Sequence, residues 1–223
     1  MDPSGVQQAA VSLFARRGFA ATGIRELGAE AGITSATIYH YFGNKESLLA
    51  SIINECLLEL AEAGVRAMRR SADPAVQLAG LVGSHVGITA VNPLTCRVAE
   101  YEMRGLTEVN RVEMQKMRDE YESMFGQVLE RGQRFGAFDL LDVGLSRLAI
   151  LEMCTGVAHW YRPDGRVQLV EVQNFFVNVA CRMVSINRDE IAGVEFLETP
   201  RRLSSEPDSR FTDVWGIGTV ARR

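Results

Sequence analysis

Apolar residues in the first fifty positions recur at the spacing of short helices. Intervals of three and four residues separate Ile24, Leu27 and Ala31, and intervals of four, one and four residues separate Ile33, Thr37, Ile38 and Phe42. Such spacing gives each helix one inward face. Gly32 lies between the two runs, where a tight helix–helix turn needs a residue that adopts positive φ at little cost. The pattern predicts helices over about Gly23–Ala31, with Thr22 as the N-cap, and about Ser35–Tyr41.

The outward face of the second of these helices is unusual. It presents hydroxyl, imidazole and aromatic groups instead of the Lys and Glu of a solvated face, namely Ser35, Thr37, Tyr39, His40 and Tyr41. A short helix that carries such groups after a turn is suited to enter a groove of DNA. Two alternatives remain open, a generic helical hairpin and a helical interaction module that binds protein without binding DNA.

The rest of the chain also repeats at helical spacing. A first helix is predicted over about Pro3–Arg17, and Asn44 is expected to cap a fourth helix that continues to about Arg70. Five further helices are predicted, over about Ala75–Ala90, Pro93–Arg104, Glu108–Arg131, Asp142–Tyr161 and Gln168–Ile186. No segment has a convincing strand pattern. The expected fold class is all-α, with about nine helices: a three-helix helix-turn-helix head and a helical ligand-binding and dimerisation body.

The last two predicted helices are apolar around most of their circumference. Polar residues of the last one form a single narrow stripe, which consists of Glu171, Asn174, Asn178 and Arg182. A helix of this kind must be covered on two sides. One cover is the core of the same chain, and the other is expected to be the same helix pair of a second chain, so a charge at Val177 or Ala158 should break a homodimer. The alternative is a central helix of a larger monomeric bundle.

The body also has the composition of an apolar pocket. Three glycines, Gly80, Gly83 and Gly87, lie on one face of the fifth helix, so either another helix or a ligand must approach closely there. Methionines supply adaptable apolar walls, and a few polar groups would orient a ligand. The candidate ligand-binding residues are Met68, His85, Thr89, Tyr101, Met114, Met117, Tyr121, Met124, Met153, His159 and Trp160. Core packing remains the alternative role for each of them.

Composition narrows the function further. The net charge of −4 and the balance of acidic and basic residues over positions 1–48 predict that DNA binding depends on a few placed cations and helix N-termini, with a shallow salt dependence. The four cysteines are interpreted as buried thiols, with a redox or metal role as the alternative. No catalytic signature is found, so no enzyme, cofactor or metal is expected. The N-terminus lacks the features of a signal peptide, and a cytoplasmic protein without a membrane span is predicted.

The N-terminal residues resemble a known family. The run from Gly32 to Leu49, GITSATIYHYFGNKESLL, resembles the recognition-helix region of TetR-family bacterial repressors, and the run from Ala9 to Thr22, AAVSLFARRGFAAT, resembles their first helix and turn. The resemblance implies a homodimer that binds a palindromic double-stranded DNA operator and is released by a small effector. The DNA-binding residues that it implies are Thr22, Arg25, Ser35, Thr37, Tyr39, His40, Tyr41 and Lys45. Members that begin with a basic arm differ from this chain, which has none.

Two stretches of the body are similar to TetR-family regulators of lipid and sterol catabolism. They run from Ala99 through Tyr121 to Gly132 and from His159 to Gly165. The effectors of those regulators are typically acyl-coenzyme A thioesters. The resemblance implies an apolar or acyl-coenzyme A effector, with phosphate contacts from Arg97, Arg104, Arg111 and Arg162 as one interpretation and solvated surface charges as the other. The predicted domains are residues 1–48, 49–187 and a C-terminal tail over 188–223.

Overall fold

A computed structural model describes residues 3–186 and 197–208, and these residues confirm the all-α class. The helices are α1 (Pro3–Arg17), α2 (Ile24–Ala31), α3 (Ser35–Phe42), α4 (Lys45–Arg70), α5 (Pro74–Val91), α6 (Pro93–Tyr101), α7 (Glu108–Arg134), α8 (Val143–Thr155), α9 (Val157–Trp160) and α10 (Leu169–Met183), with a 3-10 turn over Met103–Gly105. The described residues contain no β-strand. The predicted order of helices is therefore correct.

The chain divides into two compact units that are not continuous in sequence. Among the described residues, the head unit consists of residues 3–56, 94–112 and 203–208, and the body unit consists of residues 57–93, 113–186 and 197–202. The predicted domain boundaries, at residues 48 and 187, assume instead that each domain is one continuous segment of the sequence. The difference arises because most of α6 and the start of α7 pack with the N-terminal helices, which sequence order does not reveal.

The helices of the head unit enclose a small apolar core. Phe14 of α1, Leu27 of α2 and Ile38 of α3 are fully buried, together with Leu48 and Leu49 of α4. The turn between α2 and α3 is tight, because Gly32 adopts the left-handed conformation with φ of 69° and ψ of 30°. The predicted role of this glycine is confirmed, and a side chain there would strain the turn.

The helix caps of the head unit agree with the sequence-based prediction at α4 and differ from it at α2. The Asn44 side chain accepts the Ser47 amide at 2.8 Å at the start of α4, as predicted. The N-cap of α2 is Gly23, which has no side-chain cap, and not Thr22. Thr22 is buried, and its hydroxyl donates to the Gly18 carbonyl at 2.9 Å. The prediction for Thr22 was wrong because its hydroxyl is taken by the preceding loop.

Helix α5 is the core of the body unit. Its residues from Ala75 to Ala90 are all buried, and it packs against α8, α9 and α10. By length and composition it could cross a membrane, but 89% of it is buried within the protein, as expected of a core helix. Side chains of the same chain approach its glycines: the Gln173 amide nitrogen lies 2.7 Å from the position that a Cβ on Gly87 would take. Of the two explanations for the glycines, helix packing therefore applies at Gly87.

Three predicted helix ends differ from the structure, and local hydrogen bonds account for two of them. The predicted eighth helix is interrupted at Gly156, whose carbonyl accepts the His159 amide at 3.1 Å in the tighter i→i+3 pattern. Helix α6 ends at Tyr101 instead of Arg104, and the Gly105 amide closes the following turn on the Glu102 carbonyl at 2.8 Å. Helix α7 continues beyond Gly132 to Arg134. These differences are a few residues each, as is usual for helix ends.

The described part of the tail lies against its own chain. Within the body unit, Glu198 accepts hydrogen bonds from Arg66 at 2.9 Å and from Arg70 at 3.0 Å. Within the head unit, the buried carboxylate of Glu206 accepts the Thr95 amide at 2.8 Å and so caps the start of α6. The end of the predicted C-terminal tail, from residue 209 onward, lies outside the described residues.

Candidate functional site

Helix α3 carries a polar and aromatic surface on a buried anchor. Ile38 is fully buried, whereas the Tyr39 side chain is 50% exposed and His40 and Tyr41 are also exposed. Ser35 and Thr37 are half-buried on the same helix. The α3 surface, defined as Ser35, Thr37, Tyr39, His40 and Tyr41, is thus fixed by the core and accessible to a large partner.

The N-terminus of α3 is held by a residue that the sequence interpretation missed. The hydroxyl of Thr34 accepts the Thr37 amide at 3.2 Å, and the two hydroxyl oxygens are 2.9 Å apart. The sequence did contain a signal for this cap, because threonine is a favoured N-cap residue and Thr34 directly precedes the first helical residue. The cap fixes the end of α3 whose exposed amides can meet a phosphate.

Lys45 has a structural role that the resemblance did not imply. Its ammonium donates to the carbonyls of Phe19 at 2.9 Å and Thr22 at 2.8 Å, and it lies 4.3 Å from the centre of the Phe19 ring. The lysine therefore ties the start of α4 to the loop between α1 and α2. Thr22 is likewise internal, being 1% exposed, so its side chain cannot contact a phosphate from this position.

The cations near the α3 surface differ in their partners. Arg16 pairs with Glu30 at 3.0 Å, and Arg17 pairs with Glu26. Arg25 is exposed, and within the described residues it forms no ion pair. Exposed pairs contribute about 0–1 kcal/mol and can exchange partners. Arg25 is therefore the cation of this region that is most available to a phosphate.

Carboxylate hydrogen bonds support α4 within the head unit. Burial alone would raise the pKa of Glu46, but hydrogen bonds from Asn110 and from the amide and hydroxyl of Thr107 outweigh it and lower the pKa below its ordinary value. The pKa of Glu55 is lowered in the same way, against its burial, by hydrogen bonds from Ser205 and Ser204. These contacts contribute stability that is lost as pH falls through the lowered pKa values, below 4.5.

The centre of the body unit contains a buried polar cluster. The imidazole of His85 has its Nδ1 atom 3.0 Å from the Tyr121 hydroxyl and its Nε2 atom 3.1 Å from the Thr155 hydroxyl. Burial lowers the pKa of His85 to about 4, so the ring is neutral at pH 7 and offers one donor and one acceptor. His85, Tyr121 and Thr155 are called the His85 cluster. Thr155 was not among the predicted residues, although it lies on the same helix, α8, as the predicted Met153.

We expect the His85 cluster to make stability depend on pH. Between the ordinary pKa of 6.5 and the lowered value of about 4, protons bind the unfolded chain and not the folded one, so the free energy of unfolding falls as pH decreases. The full loss is about 3 kcal/mol. Urea unfolding from pH 7 to pH 4 measures it. Well above pH 4.5, where Glu46 and Glu55 do not contribute, the dependence should disappear in His85→Gln and persist in His159→Gln, because His159 is exposed; an unchanged dependence in His85→Gln would contradict this explanation.

The remaining predicted ligand residues are only partly brought together. Met124 and Tyr121 approach α4, where a Cβ on Gly64 would lie 2.7 Å from the Met124 sulfur and 3.1 Å from the Tyr121 ring. Met114 and Thr89 are buried, whereas Met68, Met117 and Met153 are half-buried. Tyr101, His159 and Trp160 are exposed, and Tyr101 belongs to the head unit. The structure thus assembles His85, Tyr121 and Met124, with Gly64 as a neighbour that the sequence interpretation missed.

An exposed apolar face lies on α8 and α10 of the body unit. Leu145 and Leu148 of α8 are exposed, the latter by 47%, and Phe175 of α10 is 65% exposed. Val177 and Ala158, by contrast, are buried within the chain's own core. The predicted test positions were wrong because a helix that is apolar all round does not reveal which side faces its own core. Leu145, Leu148 and Phe175 are called the α8–α10 face.

A capped and exposed α3 behind a tight turn defines a helix-turn-helix regulator, and comparison with known proteins identifies its family. The N-terminal model, bacterial regulatory proteins of the tetR family, matches residues 7–52, and the tetracyclin repressor-like C-terminal domain matches residues 71–184. The chain belongs to the TetR family and is a transcriptional repressor, not an enzyme. The predicted family is confirmed.

Individual relatives resemble most of the chain. The transcriptional repressor KstR2 of Rhodococcus jostii is 27% identical over 172 residues, which cover 76% of this chain and 84% of the relative. The structure of the TetR-family regulator PfmR from Thermus thermophilus has a TM-score of 0.72 and 30% identity, covering 79% of this chain and 97% of PfmR. AibR, in complex with isovaleryl coenzyme A and operator DNA, shares the fold with a TM-score of 0.69 and 21% identity, over 78% and 95% of the two chains.

Proposed function

We propose that this repressor binds a palindromic operator as a cytoplasmic homodimer and is released by an apolar acyl-coenzyme A thioester. The observation that carries the DNA-binding part is the α3 surface, in which exposed polar and aromatic groups stand on a buried Ile38. Recognition helices of this kind read base edges in the major groove, and a two-fold dimer places them about one DNA turn, roughly 34 Å, apart.

The proposed DNA contacts follow from exposure and charge. Tyr39, His40 and Tyr41 are exposed on α3, and Ser35 and Thr37 lie at its capped start. Arg25 supplies a cation on α2. Lys45 and Thr22 are assigned supporting roles, since both bind groups of their own chain. With few cations available, the logarithm of affinity should fall only shallowly with the logarithm of salt concentration.

An electrophoretic shift with DNA flanking the gene tests DNA binding. The expected result is a specific complex that survives excess unrelated DNA and weakens shallowly from roughly 50 to 200 mM salt, because few counterions are released. The alternative function, a helical interaction module, predicts no sequence-specific complex at any of these salt concentrations. A steep salt dependence with no sequence preference would also contradict the proposed mode of recognition.

The proposed effector site is the region of Tyr121, Met124 and Met117 on α7. Two of these residues approach Gly64 of α4, and α4 is one continuous helix from Lys45 to Arg70 that contributes residues to both units. An effector that separates α7 from Gly64 would displace α4 and so alter the position of α3, which precedes it. Release requires only that the effector bind the DNA-incompetent arrangement better than the competent one.

The class of effector is supported by a fold-level likeness and by chemistry. AibR, which shares this fold, is known in complex with isovaleryl coenzyme A and operator DNA. In this chain, the methionines and the neutral His85 cluster provide apolar contacts and a few hydrogen bonds, which suit an acyl chain with its thioester. Arg162 of the body unit remains a candidate for the phosphates, with surface charge as its alternative role, whereas Arg97, Arg104 and Arg111 belong to the head unit.

The effector proposal predicts a selective loss of response. Long-chain or polycyclic acyl-coenzyme A should weaken operator affinity roughly 5–150-fold, which corresponds to a coupling of about 1–3 kcal/mol. Met117→Arg should abolish that response while leaving operator binding intact, because Met117 is half-buried in the body unit. Gln115→Arg, on an exposed position of the same helix, is the control. If no thioester changes affinity and a small polar metabolite does, the effector class is wrong and the repressor assignment stands.

A further inference from the structure

Two of the four cysteines lie side by side in the head unit. The Cys56 sulfur of α4 is 3.7 Å from the Cys96 sulfur of α6, and no disulfide joins them. The residues are separated by 40 positions in the sequence, so their proximity is a product of the fold. The other two cysteines, Cys154 and Cys181, belong to the body unit and are fully buried.

The two sulfurs are near the geometry of a disulfide. A disulfide bond is about 2.05 Å long, so the sulfurs must approach by less than the width of one atom, through side-chain rotation and a small shift of the helices. Cys56 is 1% exposed and Cys96 is 8% exposed, which makes Cys96 the thiol that a small oxidant reaches first. Neither DNA contact nor the proposed effector site uses these residues.

We propose that Cys56 and Cys96 form a redox modification site, which a hydroperoxide converts to a reversible disulfide between α4 and α6. The thiolate of Cys96 attacks one oxygen of the hydroperoxide, its O–O bond breaks, and water or an alcohol leaves, so that Cys96 becomes a sulfenic acid. The thiolate of Cys56 then attacks the sulfenic sulfur and expels hydroxide, which is protonated to water. Both thiols lose their protons and together two electrons, which reduce the hydroperoxide.

The cysteines of the body unit provide an internal control. Burial raises the pKa of Cys154, which keeps it in the unreactive thiol form. Cys154 and Cys181 are both 0% exposed, whereas Cys96, which reacts with the oxidant first and has Cys56 beside it, is 8% exposed. Oxidation should therefore consume two of the four thiols of the chain and spare the other two.

The test is oxidation of the full chain by hydrogen peroxide, followed by alkylation under denaturing conditions and mass spectrometry. The expected product has lost two hydrogen atoms, retains two alkylatable thiols, contains a Cys56–Cys96 cross-linked peptide, and returns to four thiols with dithiothreitol. Cys56→Ser and Cys96→Ser should each prevent the intramolecular cross-link, and Cys154→Ser should not. The proposal is overturned if all four thiols persist, if Cys96 is oxidised to sulfinic acid without a cross-link, or if the linked peptides involve Cys154 or Cys181.

Discussion

Replacing Tyr39 with alanine should weaken operator binding at least about tenfold without unfolding the protein. Its side chain is 50% exposed on α3, so its removal costs little stability. A hydrogen bond from its hydroxyl to a phosphate or base would contribute about 1.5–3 kcal/mol, and a dimer would lose the contact twice. Fluorescence anisotropy of a labelled operator measures the affinity, and circular dichroism verifies the fold.

Two further variants identify the cause of the Tyr39 effect. Tyr39→Phe keeps the ring and removes only the hydroxyl, so it should reproduce most of the loss if hydrogen bonding is responsible. Tyr101→Ala removes an equally exposed tyrosine of the head unit that lies on α6 and should leave operator affinity unchanged. Wild-type affinity in a folded Tyr39→Ala protein would contradict the assignment of α3 as the recognition helix.

A carboxylate on the α8–α10 face should dissociate the homodimer and with it the operator complex. Leu148 and Phe175 are exposed within a single chain, so Leu148→Glu and Phe175→Glu should leave the chain folded. In a dimer they would bury an unpaired charge at a cost of about 3 kcal/mol or more, which raises the dissociation constant at least roughly a hundredfold.

Sedimentation equilibrium measures this effect directly. Wild type is expected to be a dimer at micromolar concentration, and both variants are expected to be monomers. Val112→Glu introduces the same charge on an exposed position of α7 in the head unit and should remain a dimer. A wild-type monomer, or variants that dimerise as well as wild type, would exclude the α8–α10 face as the interface.

The fold could be predicted from sequence where its signals are local. Gly32 ends α2 through its left-handed backbone conformation, and the Asn44 side chain caps the start of α4. Both residues had the predicted roles. The predicted end of the eighth helix was wrong because the i→i+3 hydrogen bond at Gly156 has no strong sequence signal. The compact units differ from the predicted domains because residues 94–112 pack with the N-terminal helices despite their distance in sequence.

The site was harder to predict because residue type does not determine which partner a side chain finds. Lys45 matched a motif, but its ammonium is directed to the carbonyls of Phe19 and Thr22. Val177 was predicted to lie at the dimer interface, but it is buried in the core of its own chain. The exposed tyrosines of α3 could be predicted because Ile38 alone fixes which side of that short helix is buried.

The central claim is that two copies of α3 read one palindrome, and a titration of operator DNA with wild-type protein tests it most directly. Complex mass, measured by light scattering across the titration, should give two chains or a multiple of two per operator. Binding to a single half-site should be weaker by at least about tenfold, because one set of contacts is lost. One chain per operator, or equal affinity for the half-site and the palindrome, would contradict the account.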